Sequence, residues 1–361
     1  MINAALPGEY VAWTKPGYKR TEVDAAGKYL ASNWWGFPAD ELERLDASLA
    51  ILNNWRSAHS FPLNTFQSTL RKKARAIYPN AIVAQRIKRV PSIMLKLERF
   101  PSMNLSQMQD IGGCRAIVGS VSNTMKLRDA YLRSQLRHTL VREKDYIKEP
   151  KDSGYRGIHL VYRYLSDRQQ GDHNGLQIEM QLRSHLQHAW ATAVETAGTF
   201  LERSLKSSQG PDEWLQFFAL VSSGFALKEK CPPVPGTPKS PGEVKRKIKS
   251  QAKVLQVDQN LRAFGAAINE ISEPTHKDSH FFLLELQPEQ NTVTISGYTI
   301  QQLVTANRTY LEVEKRLAAE NVPGAQAVLV AADTLESLRR AYPNFYLDTN
   351  AFLDYLKEVT D

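Results

Sequence analysis

The stretch Leu176 to Arg183 alternates more strictly than any other in the sequence. Ile178, Met180 and Leu182 fall on one side; Gln177, Glu179, Gln181 and Arg183 fall on the other. Successive Cβ atoms of a strand point to opposite faces, so this is a strand with one apolar and one polar face. Two placements fit. It is an edge strand with one wet face, or it lines a cleft and aims a carboxylate and a guanidinium into it. The period then changes. Leu186, Ala189, Trp190, Ala193, Ala197 and Leu201 recur at helical steps and form a core-packing stripe.

The residues before this strand carry most of the chemistry. Asp145–Leu160 packs Pro150, Lys151, Gly154, Tyr155, Arg156, Gly157 and His159 into one connection. A turn needs Gly and Pro. It does not need Lys, Tyr, Arg and His beside them, whereas a site that pairs phosphate charge and stacks on a base does. A decorated surface hairpin is the alternative. Ile158–Tyr164 follows as a strand rich in β-formers.

Further upstream, Arg86–Arg99 is basic with almost no acid to balance it. Arg86 and Lys88 share one face by period two. Ser92 can cap a short helix, and Lys96 projects one turn in. Cations at fixed positions suit a triphosphate. Cys114–Val118 reads as a buried strand interrupted by Arg115. Asp110, just before Gly112 and Gly113, is either a Mg²⁺ ligand or the structural partner of Arg115. Asp40 has the look of an N-cap, with Glu43 completing a capping box. Phe66, Leu70, Ala74 and Ile77 line a helix whose other side carries Arg71, Lys72, Lys73 and Arg75. Ser122–Arg137 is a connecting helix.

The 361 residues exceed what one compact core usually takes. Cys231–Gly242, with five prolines, reads as a stiff linker and the best boundary. The expected domains are 1–230, the linker 231–242, and 243–361. Beyond the linker, strands near 280–286, 292–295 and 327–330 and helices over 299–321 and 334–342 describe a small α/β module without evident chemistry. Net charge of +8 and a pI near 9.3 favour polyanionic partners. Two cysteines cannot build a four-Cys zinc site, and a disulfide is not expected. No apolar run of roughly 18 residues exists, and Met1–Tyr10 lacks a signal-peptide pattern, so a cytoplasmic protein with no membrane association is expected.

Taken in order, Arg86-x-Lys88-x-x-x-Ser92-x-x-x-Lys96, Asp110-x-x-Gly113-x-Arg115, Asp145-Tyr146-Ile147 with Pro150-Lys151, Gly154-Tyr155-Arg156-x-x-His159, Glu179-x-Gln181-x-Arg183 and Trp190 resemble the synthetase domain of RelA/SpoT-type enzymes over roughly residues 40–205. The resemblance implies an α+β fold: a mixed-sheet, nucleotidyltransferase-like core flanked by helices. It implies transfer of the β,γ-pyrophosphate of ATP to a ribose hydroxyl. Arg86 and Arg115 would flank adenine, and Lys88, Lys96 and Ser92 would hold phosphates. Asp110 would bind Mg²⁺, and Tyr155 would stack on the acceptor base. Arg156 and His159 would belong to the acceptor site, Arg156 contacting the acceptor and His159 supporting the loop or contacting phosphate. Glu179 would assist the metal or deprotonate the hydroxyl, with Gln181 and Arg183 orienting it or the acceptor.

Three features resemble the toxic subgroup that pyrophosphorylates the 3′-CCA end of tRNA. They are the basic run Arg71, Lys72, Lys73 and Arg75, the helix Gln187–Thr196, and a C-terminal half similar to the antitoxin-like, zinc-finger-like domain, without zinc, of CapRel-type fusions. That resemblance implies tRNA as substrate, autoinhibition by the C-terminal domain, with Tyr342, Tyr346 and Tyr355 as candidate plugs, and a phage protein as activator. An alarmone synthetase using GDP, GTP or an adenine nucleotide is the alternative.

Overall fold

The computed structural model describes residues 13–34, 36, 38–167, 171–204, 211–263, 279–287, 292–320, 326–331 and 345–361. They form two compact units, each built from two stretches of chain. The first comprises Met1–Asp145 and Gly157–Ser184, the second Tyr146–Arg156 and His185–Asp361.

The first unit is a mixed five-stranded sheet with helices. Its strands are β1 (Ile82–Ile87), β2 (Gly112–Val118), β3 (Thr139–Asp145), β4 (Ile158–Arg163) and β5 (Gln177–Ser184), in the order β1-β2-β5-β4-β3. Only β2 and β5 run parallel. β5 is therefore an interior strand, paired on both sides, and the edge placement is wrong. Its polar face reflects a polar face of the whole sheet. The apolar face carries Cys114, Ala116, Ile178, Met180, Leu182, Leu160 and Tyr162, all buried. Helices α3 (Ser60–Ile77) and α5 (Val121–Leu132) pack on the sheet. The approach is close at Gly112, where a Cβ would sit 2.6 Å from Ile178 Cδ1 and 3.3 Å from His59 Cβ.

Helices α1 (Arg20–Asn33), α2 (Leu42–Ala58) and α4 (Val90–Arg99) enclose a satellite core containing Leu30, Leu52, Ile93 and Met94. Asp40 lies in a 3₁₀ turn, Ala39–Glu41, and the N-cap position of α2 falls on Glu41. Ser92 lies inside the first turn of α4, whose N-cap is Arg89.

The second unit contains helices α6 (His185–Ser204), α7 (Pro211–Lys228) and α8 (Pro241–Val254). An antiparallel sheet follows, in the order β7-β6-β8, made of β6 (Phe281–Gln287), β7 (Thr292–Tyr298) and β8 (Gln326–Ala331). Helices α9 (Leu303–Glu320) and α10 (Phe345–Thr360) complete it. The helix expected at 334–342 lies outside the described residues.

One apolar cluster joins Trp190, Phe217, Phe225, Ile248, Phe282 and Phe352, from both sides of the proline-rich stretch. Val234, within that stretch, is itself buried. Residues 231–242 thus connect two helices of one core, and the boundary expected there falls elsewhere. Composition marks a stiff segment but does not reveal what packs on it.

Candidate active site

The polar face of the first sheet is set by register. Arg86 pairs with Gly113, Gly113 with Glu179 and Glu179 with Val161; one step along the sheet, Arg115 pairs with Gln181 and Gln181 with His159. Cross-strand partners share a face. Arg86, Arg115, Glu179, Gln181 and His159 therefore face the same way, four strands contributing, although they span more than ninety positions in sequence.

Glu179 is the centre of this face. His159 Nδ1 lies 2.9 Å from Oε1, and Gln181 Nε2 donates to Oε2 at 2.8 Å. Arg183 Nη2 donates in turn to Gln181 Oε1 at 3.0 Å. Burial pushes the carboxyl toward its neutral form. The hydrogen bond and charge of His159, with the Gln181 bond, outweigh it and hold Glu179 below its ordinary value. Gln181 thus contacts the carboxylate directly, and Arg183 reaches it only through Gln181.

A second cluster forms where β1, α4 and the lead into β2 meet. Lys88 Nζ contacts Asp110 Oδ2 and Lys96 Nζ contacts Asp110 Oδ1, each at 2.8 Å. Lys88 lies just past β1, where its N–H still donates to Ile111 O at 2.7 Å. Lys96 sits one turn beyond Ser92 on α4, so the two share a helix face. Burial raises the Asp110 carboxyl, but the two lysines overcome it and keep the group ionised below its ordinary range. The charge of Asp110 also bears on Glu179, so both carboxylates belong to one electrostatic site.

Tyr155 and Arg156 belong to the second unit. Lys151 Nζ lies 4.6 Å from the ring centroid of Tyr146 and 5.0 Å from that of Tyr155, and the two rings meet edge-on at 5.8 Å. Arg156 is 3% exposed. It donates from Nε to Ser222 Oγ at 3.0 Å, from Nη1 to Ile147 O at 3.3 Å and from Nη2 to Pro232 O at 2.7 Å. The expectation that Arg156 contacts the acceptor is corrected: its guanidinium is enclosed by protein. Trp190, likewise buried, donates to Phe218 O at 2.8 Å.

Of the basic run on α3, Arg71, Lys72 and Arg75 are exposed. Lys73 bonds to Ser134 Oγ and Ala130 O, and its ammonium lies 5.4 Å from the Tyr131 ring centroid. It ties α3 to α5 and does not face outward with the others. Tyr355 packs on Phe225, ring centroids 6.2 Å apart. Tyr342 lies outside the described residues. Tyr346 falls in α10, its side chain likewise outside the description.

Two exposed cations escaped the sequence reading. Arg142 and Lys144 on β3 pair with Val161 and His159, and so extend the polar face. Their i, i+2 spacing was the available signal.

These residues define an α+β domain whose sheet presents one polar face, with two ionised carboxylates, Glu179 and Asp110, held by cationic and amide partners. Residues 85–200 match the family described as "Region found in RelA / SpoT proteins". It is 35% identical over 116 residues to the GTP pyrophosphokinase YjbM of Bacillus subtilis (strain 168), covering 32% of this chain and 54% of that one. The chain thus spans about half the length of this curated relative. Among solved structures, small alarmone synthetase 1 from Bacillus subtilis bound to its product pppGpp is similar at 26% identity, with 49% of this chain and 89% of that chain covered and a TM-score of 0.40. A GTP pyrophosphokinase family protein from Streptococcus pneumoniae is similar at 23% identity, covering 53% and 91%, with a TM-score of 0.39. No helix among the described residues is long and apolar enough to cross a membrane.

Proposed function

We propose that this chain is a pyrophosphokinase that moves the β,γ-pyrophosphate of ATP to a ribose hydroxyl of a nucleotide acceptor. The observation that carries the reading is the Glu179 carboxylate. It is held ionised by His159 and Gln181 on a sheet face shared with Arg86 and Arg115. A positioned carboxylate of this kind accepts the proton of an attacking hydroxyl. The flanking guanidiniums offer planar cations to the base or phosphates of a nucleotide. Lys88 and Lys96 are held on Asp110 and exchange that partner for phosphate oxygens when a triphosphate arrives. The RelA/SpoT match and the name of the curated relative support the same chemistry.

The donor set fits Mg²⁺. Asp110 and Glu179 are both held ionised, and this ion takes one or two carboxylates together with substrate phosphates. When bound, the ion would neutralise phosphate charge, with Asp110 and Glu179 as its protein ligands.

For the acceptor, the 3′-CCA end of tRNA is the reading taken. Arg71, Lys72 and Arg75 are its support, an exposed cationic face that suits an RNA backbone. GDP or GTP is the second reading, favoured by the name of the relative. ATP labelled in its γ-phosphate, incubated with tRNA or with GDP, separates them by which acceptor carries the label. Restraint of the enzyme by residues 243–361 is part of the proposal. If it holds, deleting them raises toxicity in cells; because Ile248, Phe282 and Phe352 share a core with α6 and α7, the shortened chain is first shown to be folded by circular dichroism, and unchanged or reduced toxicity of the folded chain refutes the restraint. A plug formed by Tyr355 would first have to leave Phe225.

A further inference from the structure

Arg156 is a buried cation whose three hydrogen bonds run to neutral oxygens: Ser222 Oγ on α7, Ile147 O at the start of its own loop, and Pro232 O in the proline-rich stretch. Enclosing a guanidinium is costly unless its donors are satisfied in good geometry. The residues around it are correspondingly constrained. Ser222 Oγ also donates to Gly154 O at 2.6 Å, so one hydroxyl serves both neighbours of Tyr155. Gly154 has φ +92°, and a Cβ there would lie 2.9 Å from Ser222 Cβ, 2.9 Å from Trp190 Cζ2 and 3.1 Å from Ala219 Cα. The turn is closed by Gly154 N donating to Lys151 O at 2.8 Å and Lys151 N donating to Tyr155 O at 3.3 Å. Tyr155 is therefore flanked on both sides by residues pinned to α7.

We propose that Arg156 is a positioning residue. Through Ser222, Ile147 and Pro232 it clamps the 146–156 loop to α7 and the proline-rich stretch, and so fixes the ring of Tyr155 for the acceptor base. A stacking ring is useful only if its plane is set before the ligand arrives; otherwise ordering the loop subtracts from affinity. The role extends to Ser222, the hydroxyl that joins the two anchors, and gives the proline-rich stretch a part in acceptor binding. It rests on the pyrophosphokinase reading for the identity of the ligand but not for the mechanics of the loop.

The full-length chain, with Ser222→Ala and Arg156→Gln variants and Arg156→Lys as the conservative control, tests this in two arms. Hydrogen exchange of the 146–156 amides is expected to speed up at least tenfold in Ser222→Ala and Arg156→Gln, with the β1–β5 amides unchanged. Steady-state transfer is expected to show an acceptor KM raised about tenfold and an ATP KM within twofold of the parent. Arg156→Lys should recover part of both effects. Unchanged loop exchange in Ser222→Ala, or ATP and acceptor KM values rising together, overturns the positioning role. Should the parent chain transfer to no acceptor, the pyrophosphokinase reading fails, while the exchange arm still decides whether Arg156 and Ser222 order the loop.

Discussion

His159 Nδ1 lies 2.9 Å from Glu179 Oε1, from the neighbouring strand β4. This contact sets the charge of the carboxylate on which the proposed chemistry depends. Burial alone would raise Glu179, and His159 is the first of the groups that reverse the shift. With the folded pKa depressed below the ordinary 4.5, the stability this group contributes is present above that pH and lost as pH falls through the lower folded value. In His159→Ala, burial regains weight. The acid limb of the pH–rate profile should move upward, and kcat should fall by about 10². A profile that superposes on the parent's would remove His159 from the account.

Asp110 holds Lys88 and Lys96 by one oxygen each. Asp110→Asn takes away the charge both lysines answer, so these cations are left close together. The variant should lose about 1–3 kcal/mol of stability without nucleotide, allowing for the partial exposure of the three groups. The parent's Asp110 titrates below the ordinary 3.8, so the parent loses this stabilisation only as pH falls from there through the folded value. Acid unfolding followed by circular dichroism should therefore show parent and variant converging below pH 3.8. A constant gap down to the lowest pH would contradict the assignment.

Gly154→Ala combines a left-handed φ with contacts under 3 Å to Ser222 and Trp190. Strain and overpacking together should cost about 2–4 kcal/mol, readable as a lowered midpoint in urea unfolding. A loss under 0.5 kcal/mol would mean the loop accommodates the methyl group by moving.

The exposed cations of α3 are separable from Lys73. If Arg71, Lys72 and Arg75 each contact an RNA phosphate, replacing all three by alanine should weaken tRNA binding. The slope of log affinity against log salt should shrink by roughly 2–3. Lys73→Ala, which breaks bonds to Ser134 and Ala130, should lower stability and leave the slope alone. Equal slopes in parent and triple variant would place the RNA, if it binds, on another face.

How much of this was legible in the sequence follows from where partners lie. β5 and α6 announce themselves because every side chain of each element takes part in the period, and the Glu179 face was visible in that alternation. Its place in the sheet was not, since one polar face reads the same at an edge as over an open interior face. β3 has a largely exposed sequence, Thr-Leu-Val-Arg-Glu-Lys-Asp, with no apolar alternation to reveal it. Arg156 beside Tyr155 looks like a ligand contact until Ser222 and Pro232, 66 and 76 positions away, are seen to enclose it. Lys73 is hidden in the same way: local spacing groups it with its basic neighbours, and only tertiary contact with α5 sets it apart. The proline-rich stretch fails as a boundary because buried Val234 is a long-range fact that composition does not carry.

The central claim is that the ionised Glu179 carboxylate drives pyrophosphate transfer, while Arg86, Lys88, Lys96 and Arg115 supply most of the affinity for ATP. Single-turnover reactions of the parent and of Glu179→Gln, with γ-labelled ATP and the acceptor, test it directly, with ATP affinity measured in parallel. The account predicts that the parent forms AMP together with a labelled acceptor, and that Glu179→Gln binds ATP within a few-fold of the parent yet transfers at least about 10²-fold more slowly. Transfer by Glu179→Gln at the parent's rate, or label released from the parent without any acceptor carrying it, would contradict the account.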